Sequence, residues 1–143
     1  MPHLVEQLTR LSNDAFAEYE GAMPVGEEFI DWYLQRPGSR PDLCTVALLG
    51  ERLVSNVLVA IQQVRVGGTL MRCGIIDTVA TDPAHRRKGL ARRLMDDAHQ
   101  LLKAERCEAA VLYTNPDGMP YRFYQSMGYI PRAIAGALMG PRS

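Results

Sequence analysis

GIIDTVATDPAHRRKGLARRLMDDAHQLL, residues 74–102, is the stretch on which the reading of this chain turns. Its first part, Gly74 to Thr81, is apolar and β-branched and stops at Asp82-Pro83, a turn pair that ends a strand. From Lys88 the period changes. Leu90, Ala91, Leu94, Met95, Ala98, Leu101 and Leu102 recur at spacings of three and four, which predicts a helix with one continuous apolar stripe. Between strand and helix lies Arg86-Arg87-Lys88-Gly89-Leu90-Ala91. The first N–H groups of a helix have no partner within it, and the helix dipole presents its positive end there. A glycine at that point, followed by a small residue such as Ala91, lets a phosphate approach the backbone closely. The segment therefore predicts an anion site. Arg86, Arg87, Lys88, Arg92 and Arg93 add attraction for a polyphosphate.

Toward the N-terminus the pattern is one of hairpins. Val64 to Val66 and Thr69 to Met71 flank Gly67-Gly68, a two-residue turn, and Thr45 to Leu49 and Leu53 to Ile61 flank Gly50-Glu51-Arg52. Before them, Leu4, Leu8, Leu11, Ala15 and Tyr19 share one face of a helix predicted over residues 3–19. A shorter helix over 28–34 carries Phe29, Ile30, Trp32 and Tyr33, ends at Pro37-Gly38, and is preceded by a loop over 20–27. Toward the C-terminus, Ala109 to Thr114 is a nearly all-apolar strand of the kind buried on both faces, broken by Asn115-Pro116-Asp117-Gly118. Pro120 to Met127 predicts a short helix with Pro at its first position and Gly128 past its end. Tyr129-Ile130 and residues 133–139 suggest a final hairpin. Helices, then antiparallel hairpins, then strand–helix–strand–helix make an α/β (α+β) fold with a mixed, mostly antiparallel sheet flanked by helices. No repeat or linker divides it, so residues 1–143 are expected to form a single domain.

Composition sets the outer limits. The chain has 143 residues, enough to bury about 70% of the surface it exposes when unfolded. Hydrophobic residues at 47% and charged residues at 22% are ordinary globular usage and exclude a disordered or fibrous chain. Formal net charge is +0, which argues against a nucleic-acid or membrane-surface partner. Charge is nonetheless uneven: residues 1–45 carry 3 basic and 8 acidic side chains (3 − 8 = −5), leaving 13 and 8 (+5) for residues 46–143, where the anion site is placed. Cys44, Cys73 and Cys107 are odd in number and lie in or beside apolar runs, so they read as buried thiols rather than disulfide partners or metal ligands. No metal is expected. The absence of a leader-like start or a long apolar run points to a cytoplasmic protein.

The loop pattern Arg/Gln-x-x-Gly-x-Gly/Ala, following a strand that ends in a Thr-Asp-Pro turn, resembles the pyrophosphate loop of the GNAT superfamily of N-acetyltransferases. Three further features fall in the family's order. Val79-Ala80-Thr81 stands where the family's strand offers backbone groups to the pantetheine arm. Asn115 ends the next strand, and Tyr124-Gln-Ser-Met-Gly128-Tyr is similar to the family's Tyr-x-x-x-Gly-Phe/Tyr ending. The likeness covers about residues 45–131. Two departures accompany it: little chain precedes the first helix to supply the family's opening strand, and the interval from Asn115 to Tyr124 is longer than is common.

What the resemblance implies is transfer of an acetyl group from acetyl-CoA to an amine. The cofactor would be held by Val79, Ala80, Thr81, Arg86, Arg87, Lys88, Gly89, Leu90, Ala91, Arg92, Asn115 and Tyr124. An alkyl ammonium must lose a proton before it can attack, and Asp77 is the candidate base, with hydrogen bonding to backbone or to an arginine as its alternative role. Read as regular strand, Ile75, Asp77, Val79 and Thr81 share one face. Tyr124 is the candidate acid for the leaving thiolate, with Tyr121 as the competing phenol, and a strand N–H would serve the carbonyl oxygen. Glu18, Glu20, Glu27 and Glu28 lie near the loop that overhangs the acceptor in the family, although solvated acids would read the same way. His85 and His99 are read as solvent-facing or capping. Different classes remain open: a catalytically idle acyl-CoA sensor of the same fold, or a nucleic-acid module gripping phosphates with residues 85–93. A homodimer through an edge strand is a further expectation.

Overall fold

Val57, Leu58, Val59 and Ala60 are consecutive apolar residues, and in an extended chain neighbouring side chains point to opposite faces. Such a strand needs cover on both sides. The computed structural model, which describes residues 3–17, 23–113 and 119–130, supplies it. Strands β1 (Thr45–Leu49), β2 (Arg52–Val66), β3 (Thr69–Thr81) and β4 (Ala109–Leu112) form a sheet in that order. The β1–β2 and β2–β3 pairs are antiparallel and β3–β4 is parallel, so the sheet is mixed and mostly antiparallel as expected. Helices α1 (Leu4–Phe16) and α2 (Glu27–Gln35) pack Leu8, Leu11, Ala15 and Ile30 onto Leu53, Leu58 and Ala80. Helix α3 (Leu90–Ala104) packs Leu94, Met95, Ala98 and Leu102 onto the other face, against Val57, Val59 and Ile76. Phe123 and Tyr124 of α4 (Met119–Ser126) pack against this second layer.

The strands are longer than the apolar runs suggested. Gln62, Gln63 and Arg72 interrupt the pattern, yet the ladder runs through them from Ile61↔Gly74 to Val66↔Thr69, because the two-residue turn at Gly67-Gly68 fixes the register of the whole hairpin. Leu53–Ile61 and Val64–Val66 are therefore one strand, as are Thr69–Met71 and Gly74–Thr81. Arg52 pairs with Leu49, which leaves Gly50-Glu51 as the first turn. The all-apolar run of β4 predicts burial on both faces; its residues are half-buried, because it ends the sheet among the described residues. Pro120 occupies the second rather than the first position of α4, and Tyr129 and Ile130 are not strand; residues 133–139 and Tyr19 lie outside the described residues. No strand precedes α1 among the described residues, and none of the described helices is long and apolar enough to cross a membrane.

Side-chain ties set the angles between elements. Asn13 clamps the chain entering α2 by bonding both the N–H (2.8 Å) and the carbonyl (2.9 Å) of Val25. α2 begins at Glu27, with Glu27 and Glu28 in its first turn, where carboxylates favour the helix dipole. Gly74 lies where α3 crosses β3, and a Cβ there would sit 2.4 Å from Leu102 Cδ1. Glycine at this position is what permits the close approach of helix and strand.

Candidate active site

The pairing along β3 is interrupted once. Val59 opposes Ile76 and Leu58 opposes Thr78, so Asp77 is the extra residue of a β-bulge. On its other side β3 pairs with β4 only from Cys73↔Ala109 to Ile76↔Leu112. From Asp77 to Thr81, β3 is therefore laddered to β2 alone, and no described strand covers its second edge. An edge of this kind offers backbone donors and acceptors to an extended ligand. The bulge also corrects the expectation that Ile75, Asp77, Val79 and Thr81 share a face: Val79 packs on the α3 side with Ile76, whereas Asp77 meets α2 on the opposite side. An extra residue shifts the alternation by one, and apolar periodicity carries no sign of it.

Past the open edge the chain turns into α3. Asp82 accepts the Ala84 N–H (2.9 Å) and pairs with Arg52 (3.1 Å) and Arg10 (3.6 Å), which ties the strand end to β2 and α1. The Ala84 N–H bond, against the cost of burial, holds its carboxyl below the ordinary range, with Arg52 assisting. Gly89 then stands at the N-cap with φ +78°, in the left-handed region that favours glycine, and apart from the adjoining chain no described residue comes within 4 Å of where its Cβ would be. Among the described residues no side chain caps the helix. Its first internal bond runs from the Arg93 N–H to the Gly89 carbonyl (3.0 Å), so the N–H groups of Leu90, Ala91 and Arg92 point out of the first turn. A groove of about 270 Å³ opens there, bordered by Thr81, Arg86, Arg87, Gly89, Ala91 and Phe123.

The basic side chains of this segment do different things. Arg86 donates to the Ala15 carbonyl (2.6 Å) and holds the loop to α1, and Arg92 donates to Ser126 Oγ (2.6 Å) with its guanidinium 5.6 Å from the Phe123 ring centroid, holding α4 over the helix start. Arg87 and Lys88 are exposed, and Arg87 has φ +63°. Of the three strand residues, Val79 faces the α3 core, Ala80 is buried beneath α1, and Thr81 Oγ1 lies 2.9 Å from Ser55 Oγ at the groove.

Asp77 forms an ion pair with Arg36, the residue that ends α2. The guanidinium carbon of Arg36 lies 4.3 Å from the Tyr33 ring centroid. Burial raises the Asp77 carboxyl above its ordinary value, opposed by Tyr33 and Arg36. Burial, and then the neighbouring carboxylate, raises the Tyr33 phenol; its hydroxyl lies near Asp77 and Thr78 without a well-aligned hydrogen bond to either. Tyr33 and Arg36 are site residues that the sequence alone does not mark. An amphipathic helix ending in Tyr-Leu-Gln-Arg carries no local mark that its edge will meet a bulge 41 residues later.

Tyr124 follows groove-lining Phe123 in α4, with its ring 5.3 Å from that of Phe123 and 6.0 Å from that of Tyr129. Tyr121 is half-buried on the same helix. His99 is neither capping nor simply solvated: it is half-buried, its Nε2 lies 2.6 Å from the Tyr129 hydroxyl, and burial lowers its pKa. Burial likewise raises Tyr129, and raises the Cys44 thiol to about 11. The three cysteines are free, with Cys73 buried and Cys44 and Cys107 half-buried. Asn115, Glu18 and Glu20 lie outside the described residues.

Solved structures share this fold. A protein from Pyrococcus furiosus assigned as an acetyl transferase is 18% identical with a TM-score of 0.74, over 98% of this chain and 95% of that one. A transcriptional regulator from Bacillus halodurans C-125 is 23% identical with a TM-score of 0.70, over 94% and 91%. An aminoglycoside N-acetyltransferase, AAC(6')-Iy, in complex with CoA is 15% identical with a TM-score of 0.71, over 97% and 89%. No match was found among curated proteins. The family model described as an acetyltransferase (GNAT) domain matches residues 3–132 and so takes in the bulged strand, the glycine-capped helix and α4 together. By that match, and by a fold held in common with acetyltransferases of known structure, the chain belongs to the GNAT acetyltransferase family.

Proposed function

We propose that this chain is an N-acetyltransferase that passes an acetyl group from acetyl-CoA to an amine, acting in the cytoplasm as one domain over residues 1–143. The observation that carries the reading is the uncapped start of α3 at Gly89, set beside a β3 edge that β4 has left. The N–H groups of Leu90, Ala91 and Arg92 would hold the diphosphate, with Arg87 and Lys88 supplying charge from the rim. Arg86 and Arg92 shape that seat through their bonds to α1 and α4. The edge around Val79, Ala80 and Thr81, which no described strand covers, would take the pantetheine amides in place of a neighbouring strand, and Asn115 is proposed to bind from the segment after β4.

Bound acetyl-CoA supplies a thioester whose C–S bond is exchanged for the new C–N bond. Asp77 accepts the proton that the ammonium must lose. Its raised carboxyl is a better base for that purpose than an ordinary exposed aspartate. A backbone N–H beyond the bulge would stabilise charge on the carbonyl oxygen. Tyr124 gives its phenolic proton to the departing sulfur.

Calorimetric titration with acetyl-CoA, joined to a thiol-release assay over a panel of amines, tests the reading. Binding by the wild type and its loss in Gly89→Asp are expected, because the new carboxylate stands where phosphate would sit. Undiminished affinity in that variant would overturn the assignment of the loop.

A further inference from the structure

The stripe Phe29, Trp32, Tyr33, Arg36 runs along one side of α2 at helical spacing and ends at the Asp77 bulge. Its rings form a continuous wall, with centroids 5.8 Å apart for Phe29–Trp32 and 6.4 Å for Phe29–Tyr33. Phe29 and Trp32 are 48% and 61% exposed, whereas the Arg36 and Asp77 side chains are 21% and 15% exposed. The wall thus leads from solvent to an ion pair that is largely dehydrated but reachable. One donor there is unmet among the described residues, the buried Arg36 Nε–H, and the buried Tyr33 hydroxyl has only the Asp77 and Thr78 side chains beside it. A buried donor without an acceptor is costly, so the cluster calls for an incoming group rich in acceptor oxygens.

We propose that the acceptor is an α-amino acid with an apolar side chain, its carboxylate taken by Arg36 and Tyr33, its ammonium by Asp77, and its side chain by the Phe29–Trp32 wall. The inference rests on the transferase reading above. Charge balance supports it. Arg36 and Asp77 form a neutral pair, and a zwitterion inserted between them leaves the site neutral with both charges matched. An amine without a carboxylate would bring an uncompensated positive charge next to Arg36 in a dehydrated site. Atoms and protons close: the ammonium gives one proton to Asp77, nitrogen bonds to the acetyl carbon as the C–S bond breaks, and sulfur takes the Tyr124 proton. The second proton leaving nitrogen restores the phenol, and Asp77 returns the first to solvent.

The test begins with CoA binding by calorimetry, since its absence would overturn the transferase reading and this inference with it. Given binding, thiol release is compared for L-phenylalanine, L-phenylalaninamide and phenethylamine, which differ in the carboxylate. The expected result is kcat/KM about 10-fold or more higher for phenylalanine, since a site built to pair a polar group rejects analogues lacking it. Arg36→Lys keeps the positive charge beside Asp77 but loses the guanidinium fork, and should shrink that preference to about threefold with CoA affinity unchanged. Equal or better use of phenethylamine, or a preference unchanged in Arg36→Lys, overturns the proposal. Should none of the three turn over, thermal shift decides: stabilisation by phenylalanine and not by phenethylamine upholds the proposal, and equal or no stabilisation sinks it.

Discussion

β3 is one strand with two characters, divided at Asp77. From Cys73 to Ile76 it is laddered on both sides, its residues are buried, and Gly74 lies tight under Leu102. From Asp77 to Thr81 it has, among the described residues, a strand partner on one side only, and two carboxylates, Asp77 and Asp82, mark its bulge and its exit. The first half is saturated with contacts and can only support. The second has backbone groups without a described strand partner and charges set against arginines, which are the features the proposed binding and proton transfer would use. The two acids differ in turn. Asp82 takes a backbone N–H and two arginines and sits below the ordinary carboxyl range, whereas Asp77 is raised by burial that its partners do not fully offset.

If the division is real, substitutions in the two halves should move different quantities. The largest effect is expected for Leu102→Ala, which empties the contact above Gly74: about 2–5 kcal/mol of stability lost in chemical denaturation, with CoA affinity of the folded fraction little changed. Gly89→Asp, beyond the open half, should do the reverse, raising the Kd for CoA by about 10²-fold or more while costing about 1 kcal/mol of stability from the left-handed φ. Tyr124→Phe should lower kcat by about 10²-fold with CoA affinity retained, measured by thiol release under saturating donor. A loss shared equally by affinity would assign the ring to packing instead.

Asp82→Asn should cost about 1–2 kcal/mol at neutral pH, because the neutral amide accepts more weakly from Ala84 and no longer pairs with Arg10 and Arg52. The smallest effect, and the sharpest for the comparison, is in the pH dependence of Tm. Asp82 has a depressed folded pKa, so its contribution is present above the unfolded value, near 3.9, and fades as pH falls through the lower folded one. Asp77 has a raised folded pKa, so its favourable contribution is present below about 3.9 and lost as pH rises through the higher folded value. Relative to wild type, Asp82→Asn should therefore recover Tm as the solution is acidified, and Asp77→Asn should fall back. Slopes of the same sign would erase the distinction between the two acids.

Much of this was legible from residues alone. The α3 stripe, the Gly67-Gly68 turn, the stop at Asp82-Pro83 and the glycine before Leu90 are local signals, carried by side-chain period and by backbone freedom over a few residues. They yielded the fold class and the position of the glycine turn into α3. The strand ends through Gln62, Gln63 and Arg72 were not legible, because hairpin register rather than composition extends them. Nor was the role of His99, which depends on Tyr129 across the α3 layer.

By itself, then, the sequence determined the order of elements, the mixed sheet and the glycine-capped start of α3, since each follows from interactions between residues close along the chain. Only tertiary structure decided that Asp77 is a bulge residue facing α2, that it meets Arg36 and Tyr33, and that β4 leaves β3 at Ile76. Those facts depend on how strands align and where they part, and free energies of that kind are settled by the packed layers together rather than by any short segment.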